Sequence, residues 1–95
     1  MKVSNMQSSN GNDVPNQFEI IADNGDRYFQ SYDSIIVKIS NGIVYLDEYY
    51  WNYSKTTSKY RNQFLNETTK DTQNKIDNKE YVLTNLNKLI TIHYE

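Results

Sequence analysis

Between Trp51 and Leu65 the chain reads WNYSKTTSKYRNQFL, a stretch with two lysines, an arginine, two tyrosines, a run of Ser and Thr hydroxyls and no acid. Amides, hydroxyls and cations gathered at a helix start suit an anion, and a nucleic-acid backbone is a polymeric anion. Exposed rings beside such cations suit stacked bases, which favours a single strand over a duplex. The candidate nucleic-acid-binding residues are therefore Tyr53, Lys55, Thr56, Lys59 and Arg61. Trp51, at a strand-to-helix junction, reads as a plug of the core, leaving Tyr53 as the better contact.

A structural reading competes for every one of these residues. Ser54 or Thr56 is an ordinary N-cap, and lysines on the outer side of an amphipathic helix are ordinary solvation. On a helix over 54–66, Thr57, Tyr60, Phe64 and Leu65 share one side, and Lys55, Lys59, Asn62 and Asn66 the other. Arg61 projects beside the apolar stripe, where it either lies along the core edge or pairs with Asp47 or Glu48. The tyrosines, nine in the chain, serve a protein partner as well as a nucleic acid, because Tyr, Trp and Arg dominate interface hot spots.

Other chemistries have little material. There is no cysteine, and the single histidine is His93 near the end of the chain, so nucleophile–base pairs are poorly supplied. Asp47 and Glu48 are adjacent and point to opposite sides of a strand, which prevents them from acting as a carboxylate pair. No metal-ligand spacing and no Gly-rich phosphate loop is present. The expectation is a protein without catalysis, cofactor or metal.

At 95 residues the chain has material for one small core. Without cysteines that core holds by packing, as in a reducing cytoplasm. A net charge of −2 and a pI near 5.3 lack the electrostatic footprint of a duplex-DNA binder, so any basic patch is local. The absence of an apolar leader or long apolar run predicts a cytoplasmic protein with no membrane contact.

Those candidate residues must be positioned by a small framework. Residues 1–16 are polar and lack periodicity, predicting a mobile leader ahead of one domain over 17–95. FEIIAD and DRYFQS flank Asn24-Gly25, which predicts a type I′ hairpin pairing Asp23 with Asp26, Ile20 with Phe29 and Ile21 with Tyr28. A second hairpin, SIIVKIS and IVYLD about Asn41-Gly42, pairs Ile39 with Val44, Lys38 with Tyr45, Val37 with Leu46 and Ile36 with Asp47. The linking QSYDS leaves open whether the chain turns a corner or bends. Thr68 to Asp71 fits a capping box ahead of a second short helix, with Thr72 and Ile76 as a thin apolar stripe. EYVLTNL and KLITIHYE return to strand character. The predicted class is α+β, an antiparallel sheet from two Asn-Gly hairpins plus a C-terminal strand, with two short helices packed on one face.

The run from Tyr28 to Leu86, about three fifths of the chain, resembles a family of small phage and mobile-element proteins. The resemblance rests on YFQSYDSIIVKI, VYLDEYYWNYSKTTSKYRNQFL and KIDNKEYVLTNLN, and above all on Trp51, Tyr53, Ser54, Thr56, Thr57, Lys59 and Tyr60 followed by Phe64-Leu65. Asn52 departs from an acidic residue and Asn66 from a helix-ending glycine. The resemblance implies a phage or mobile-element origin and assigns no residue a role. Two functions follow as expectations: a nucleic-acid-binding accessory protein, or a module that binds a host or phage protein.

Overall fold

The computed structural model describes residues 1–88. Six strands form one sheet in sequence order, β1 (Lys2–Gln7), β2 (Asp13–Ile21), β3 (Arg27–Ser31), β4 (Ser34–Ser40), β5 (Ile43–Asp47) and β6 (Val82–Thr84). Two helices, α1 (Lys55–Leu65) and α2 (Thr69–Asp77), lie between β5 and β6. The class is α+β, as the alternation of periods indicated. Four of the five strand pairings are antiparallel and β6 runs parallel to β5, because the two-helix crossover returns the chain to the same end of the sheet. No helix among the described residues is long and apolar enough to cross a membrane.

The leader expected over residues 1–16 is instead a hairpin. β1 pairs with β2 from Lys2 opposite Ile21 to Gln7 opposite Asp13, through a turn in which Gly11 takes φ 82 and Ser8 and Asn12 close the ends. Only Met6 of β1 reaches the core, so composition alone reads as polar while backbone hydrogen bonds hold the strand. Gln63 of α1 ties its end down, donating to the Gln7 carbonyl at 2.9 Å.

The second Asn-Gly hairpin forms with its predicted turn, Asn41 and Gly42 both having positive φ, and with Val37, Lys38, Ile39 and Ser40 opposite Leu46, Tyr45, Val44 and Ile43. The first does not. Ala22 accepts from the Gly25 amide and donates to the Asp26 carbonyl, and Gly25 but not Asn24 has positive φ. This longer turn slides the register by one residue, to Ile21 with Arg27, Ile20 with Tyr28 and Glu19 with Phe29. Asn24 stabilises it by accepting from the Asp26 amide at 3.0 Å, an Asx turn in place of the I′ geometry.

QSYDS turns a corner: Ser31 pairs with Ser34 across Tyr32 and Asp33. A bulge then sets Phe29 opposite Val37 but Gln30 opposite Ile35. The extra residue, Ile36, is thereby buried together with Val37 instead of pointing away from it. With Leu46, Tyr60, Phe64 and Met6 these residues make the core. The Phe29 and Phe64 rings stack at 5.9 Å between sheet and α1. On the opposite face one row crosses all six strands as Val3, Ile20, Tyr28, Lys38, Tyr45 and Val82.

α2 begins at the predicted capping box, with Thr68 and Asp71 bonded reciprocally. Glu67, just ahead, accepts from Thr72 Oγ1 at 2.6 Å, Lys75 Nζ at 2.9 Å and Tyr81 Oη at 2.8 Å. Burial opposes ionisation of Glu67, but these donors outweigh it and its pKa falls below the ordinary 4.5. Burial first, and then the bond to Glu67, push the Tyr81 phenol from 10.0 up to about 12. The depressed carboxylate stabilises the fold above pH 4.5 and loses that contribution as pH falls through its folded pKa. The raised phenol contributes fully below pH 10 and loses its share as pH rises toward 12. Urea midpoints followed with pH are expected to drop on both sides of this window, with Glu67→Gln flattening the acid limb. An identical acid limb in the variant removes Glu67 from the account.

After β6 the side chain of Asn87 bridges the Ile35 backbone, accepting from its amide at 2.8 Å and donating to its carbonyl at 3.0 Å. It takes the place of the strand partner that β5 no longer supplies there. The strand expected from KLITIHYE falls almost wholly on 89–95, outside the described residues, as does His93.

Candidate functional site

The link from β5 to α1 is wound around one carboxylate. Asp47 is buried, and its Oδ2 accepts from the amides of Tyr49 at 3.1 Å and Tyr50 at 2.8 Å. Its Oδ1 accepts from the Leu86 amide at 2.8 Å and Asn87 Nδ2 at 3.0 Å. The Trp51 amide donates back to the Asp47 carbonyl and the Tyr53 amide to that of Tyr50. This winding turns Tyr49 and Tyr53 outward, 73% and 66% exposed, while Tyr50 and Trp51 pack against the core. Tyr50 meets both outer rings edge to face, at 4.8 Å from Tyr49 and 5.3 Å from Tyr53.

Ser54 is the N-cap of α1, extended and accepting from the Thr57 amide at 3.2 Å. Its hydroxyl also donates to Thr57 Oγ1, which in turn bonds Ser31 Oγ of β3 at 2.9 Å. The hydroxyls that suggested an anion site are thus largely spent on one another and on joining helix to sheet. Of that cluster, Thr56 remains exposed. The first turn of α1 contains no acid to complement its dipole.

A surface cleft of about 330 Å³ opens between this helix start and the β3–β4 turn. Tyr32, Asp33 and Ser34 form one wall, Tyr50, Tyr53 and Ser54 the other, and Ile36 with Ser31 and Thr57 completes the lining. Asp33 is the one charged residue lining it among the described residues. Tyr32 stands at φ 54, unusual for a bulky residue, and is 54% exposed. Its amide donates to the Asn16 carbonyl at 2.7 Å, which anchors the turn to β2.

Of the five candidate nucleic-acid-binding residues, Tyr53 alone lines this cleft. Lys55, Thr56 and Lys59 are exposed on the flank of α1, and the Lys59 ammonium lies 5.4 Å over the Tyr60 ring. Arg61 is not available to a ligand: it is fully buried. Its guanidinium donates to the Trp51 carbonyl, to Asn62 Oδ1 at 2.8 Å and to Thr69 Oγ1 at 2.9 Å, and lies 5.0 Å over the Trp51 ring. Neither Asp47 nor Glu48 pairs with it. Burial lowers its pKa and the field of Glu67 partly restores it. Helical spacing sets Arg61 one turn after Thr57, and the direction in which its stem runs is decided by where Trp51 and α2 sit. Sequence reasoning missed Tyr32, Asp33 and Tyr50 as cleft residues. Tyr-Asp inside an otherwise unpunctuated QSYDS was the available turn signal.

Together these features define a small α+β domain that carries a tyrosine-lined cleft where its strand hairpin meets its first helix. The chain belongs to the family of unknown function DUF8033, whose model matches residues 1–82. That span runs from the first residue into β6 and includes the N-terminal hairpin and the whole cleft. No curated protein and no solved structure matches the chain.

Proposed function

We propose that this chain is a phage or mobile-element accessory protein that works by docking another protein, host or phage, against its tyrosine-lined cleft. The observation that carries this reading is that Tyr32 and Tyr53, each more than half exposed, stand on the two walls of one concave surface, with exposed Tyr49 packed edge to face on the lining ring of Tyr50. Tyrosine offers large contact area at low entropic cost, which suits protein recognition. The phage or mobile-element origin rests on the signature from Trp51 to Leu65. Nucleic-acid binding is the second reading, favoured by exposed Lys55 at the acid-free first turn of α1, two residues after the exposed Tyr53. It is the weaker one because Arg61 is buried and the cleft lining contains no cation among the described residues.

A photo-crosslinking amino acid placed at Tyr53, with Gln73 on α2 as control, is expected to yield one protein adduct in host cells that only the Tyr53 position gives and that nuclease treatment leaves intact. The double variant Tyr49→Ala, Tyr53→Ala is expected to reduce capture of that protein at least about tenfold. Equal adducts from both positions would sink the reading. A nuclease-sensitive adduct, lost when Lys55 and Lys59 are replaced, would give precedence to nucleic acid.

A further inference from the structure

We infer that the cleft selects a cationic side chain, an arginine in particular, presented by the docked polypeptide; this rests on the protein-docking reading above. The Asp33 carboxylate stands at the tip of a two-residue turn, exposed and with no ion pair or hydrogen bond among the described residues. Tyr32, Tyr50 and Tyr53 line the same cleft. A carboxylate beside aromatic rings attracts a cation twice, through its own charge and through the negative ring faces. A planar guanidinium uses both at once, stacking on a ring while donating two parallel hydrogen bonds to the carboxylate.

The surroundings argue against the opposite charge. Among the described residues an anion entering the cleft meets Asp33 and no lining cation. Ser31, Ser54 and Thr57 already bond one another, Lys59 is turned onto Tyr60, and Lys55, exposed at the start of α1, does not line the cleft. Asp47, which fixes the Tyr50 wall, is saturated by backbone and amide donors. Glu48, exposed beside Tyr49, is unpaired among the described residues as well but does not line the cleft, so Asp33 is the acid that an incoming side chain meets there. Tyr32 is set beside it by a left-handed backbone that a tyrosine adopts only at a cost. A net charge of −2 adds a weak attraction of the same sign.

The test uses the full chain, isotope-labelled, titrated with acetyl-Ala-Arg-Ala-amide, its neutral citrulline isostere and the glutamate counterpart, and followed through the backbone amides of Tyr32, Asp33, Ser54 and Thr57. The arginine peptide is expected to bind at least about fivefold more tightly than the citrulline peptide. Asp33→Asn, in an exposed turn where the carboxylate supports nothing else, is expected to erase that difference while the rest of the spectrum stays in place. Equal binding of the arginine and citrulline peptides at the cleft amides overturns the charge selection and leaves the docking reading standing. Tighter binding of the glutamate peptide overturns the charge selection as well. No shift at the cleft amides with any peptide overturns this inference, while the crosslink at Tyr53 reports separately on docking itself.

Discussion

Asp47→Ala is expected to lower stability by about 3–5 kcal/mol, because it strips the acceptor from donors at Tyr49, Tyr50, Leu86 and Asn87 in a single change. A small domain has roughly 5–15 kcal/mol in total, so at the lower end of that range the loss would leave the chain close to unfolding at room temperature. Asp47→Asn retains the shape and one acceptor oxygen, and its expected cost is about 1–3 kcal/mol. Urea midpoints measure both. Amide exchange locates the damage, with Tyr50 and Leu86 losing protection first in the Asn variant. A cost below about 1 kcal/mol for the alanine change would mean that the turn and the segment after β6 are held by something other than this carboxylate. The same bonds fix Tyr49 and Tyr50, so the milder Asn variant is also expected to weaken docking at the cleft while remaining folded.

Arg61→Ala is the second large effect, at about 3–5 kcal/mol, and its origin is mixed. The change opens a cavity beneath Trp51, takes the side-chain donor from the Trp51 carbonyl and leaves Thr69 Oγ1 with Asn62 Nδ2 alone. Against this it relieves the desolvation of a buried cation that has no ion-pair partner. Two further variants separate the contributions. Arg61→Met fills the space without the charge and is expected to recover about 1–2 kcal/mol relative to alanine. Arg61→Lys retains the charge but not the planar fork that reaches loop and helix together, and is expected to remain at least about 2 kcal/mol below the native chain. Thermal and urea unfolding of the three variants decide it. Full stability in Arg61→Lys would reduce the residue to a simple charge and remove the link between the Trp51 loop and α2.

These two residues also mark where sequence reading stops. In the sequence Asp47 is one of two adjacent strand acids, and Arg61 is at once a candidate contact, a core-edge stem and a possible partner of Asp47 or Glu48, since an ionised side chain is rarely buried without a partner. Both are buried because donors and acceptors from distant segments converge on them, Leu86 and Asn87 on Asp47, Thr69 on Arg61. Sequence separation of up to 40 residues leaves no local pattern to read. Ser54, Thr57 and the Thr68–Asp71 box were legible, since a cap forms with amides only three residues away.

The same division runs through the whole chain. Sequence by itself determined the α+β class, the Asn41-Gly42 hairpin with its register from Val37 to Ser40 and the capping box of α2, and narrowed the start of α1 to Ser54 or Thr56, because each depends on neighbours within a turn or on a simple alternation; the structure chose Ser54 and packed Trp51 against the core. Tertiary structure decided that residues 2–7 become an edge strand, where backbone pairing with β2 outweighs a polar composition. It decided that the first Asn-Gly turn slips by one residue, where an Asx bond competes with the I′ geometry, and that Ile36 turns inward at a bulge. It also joined Tyr32 and Asp33 to Tyr53 across one cleft. Three residues on two separate loops share a surface only once Ser31 and Thr57 have bonded sheet to helix, a contact 26 positions apart in sequence that no periodicity records.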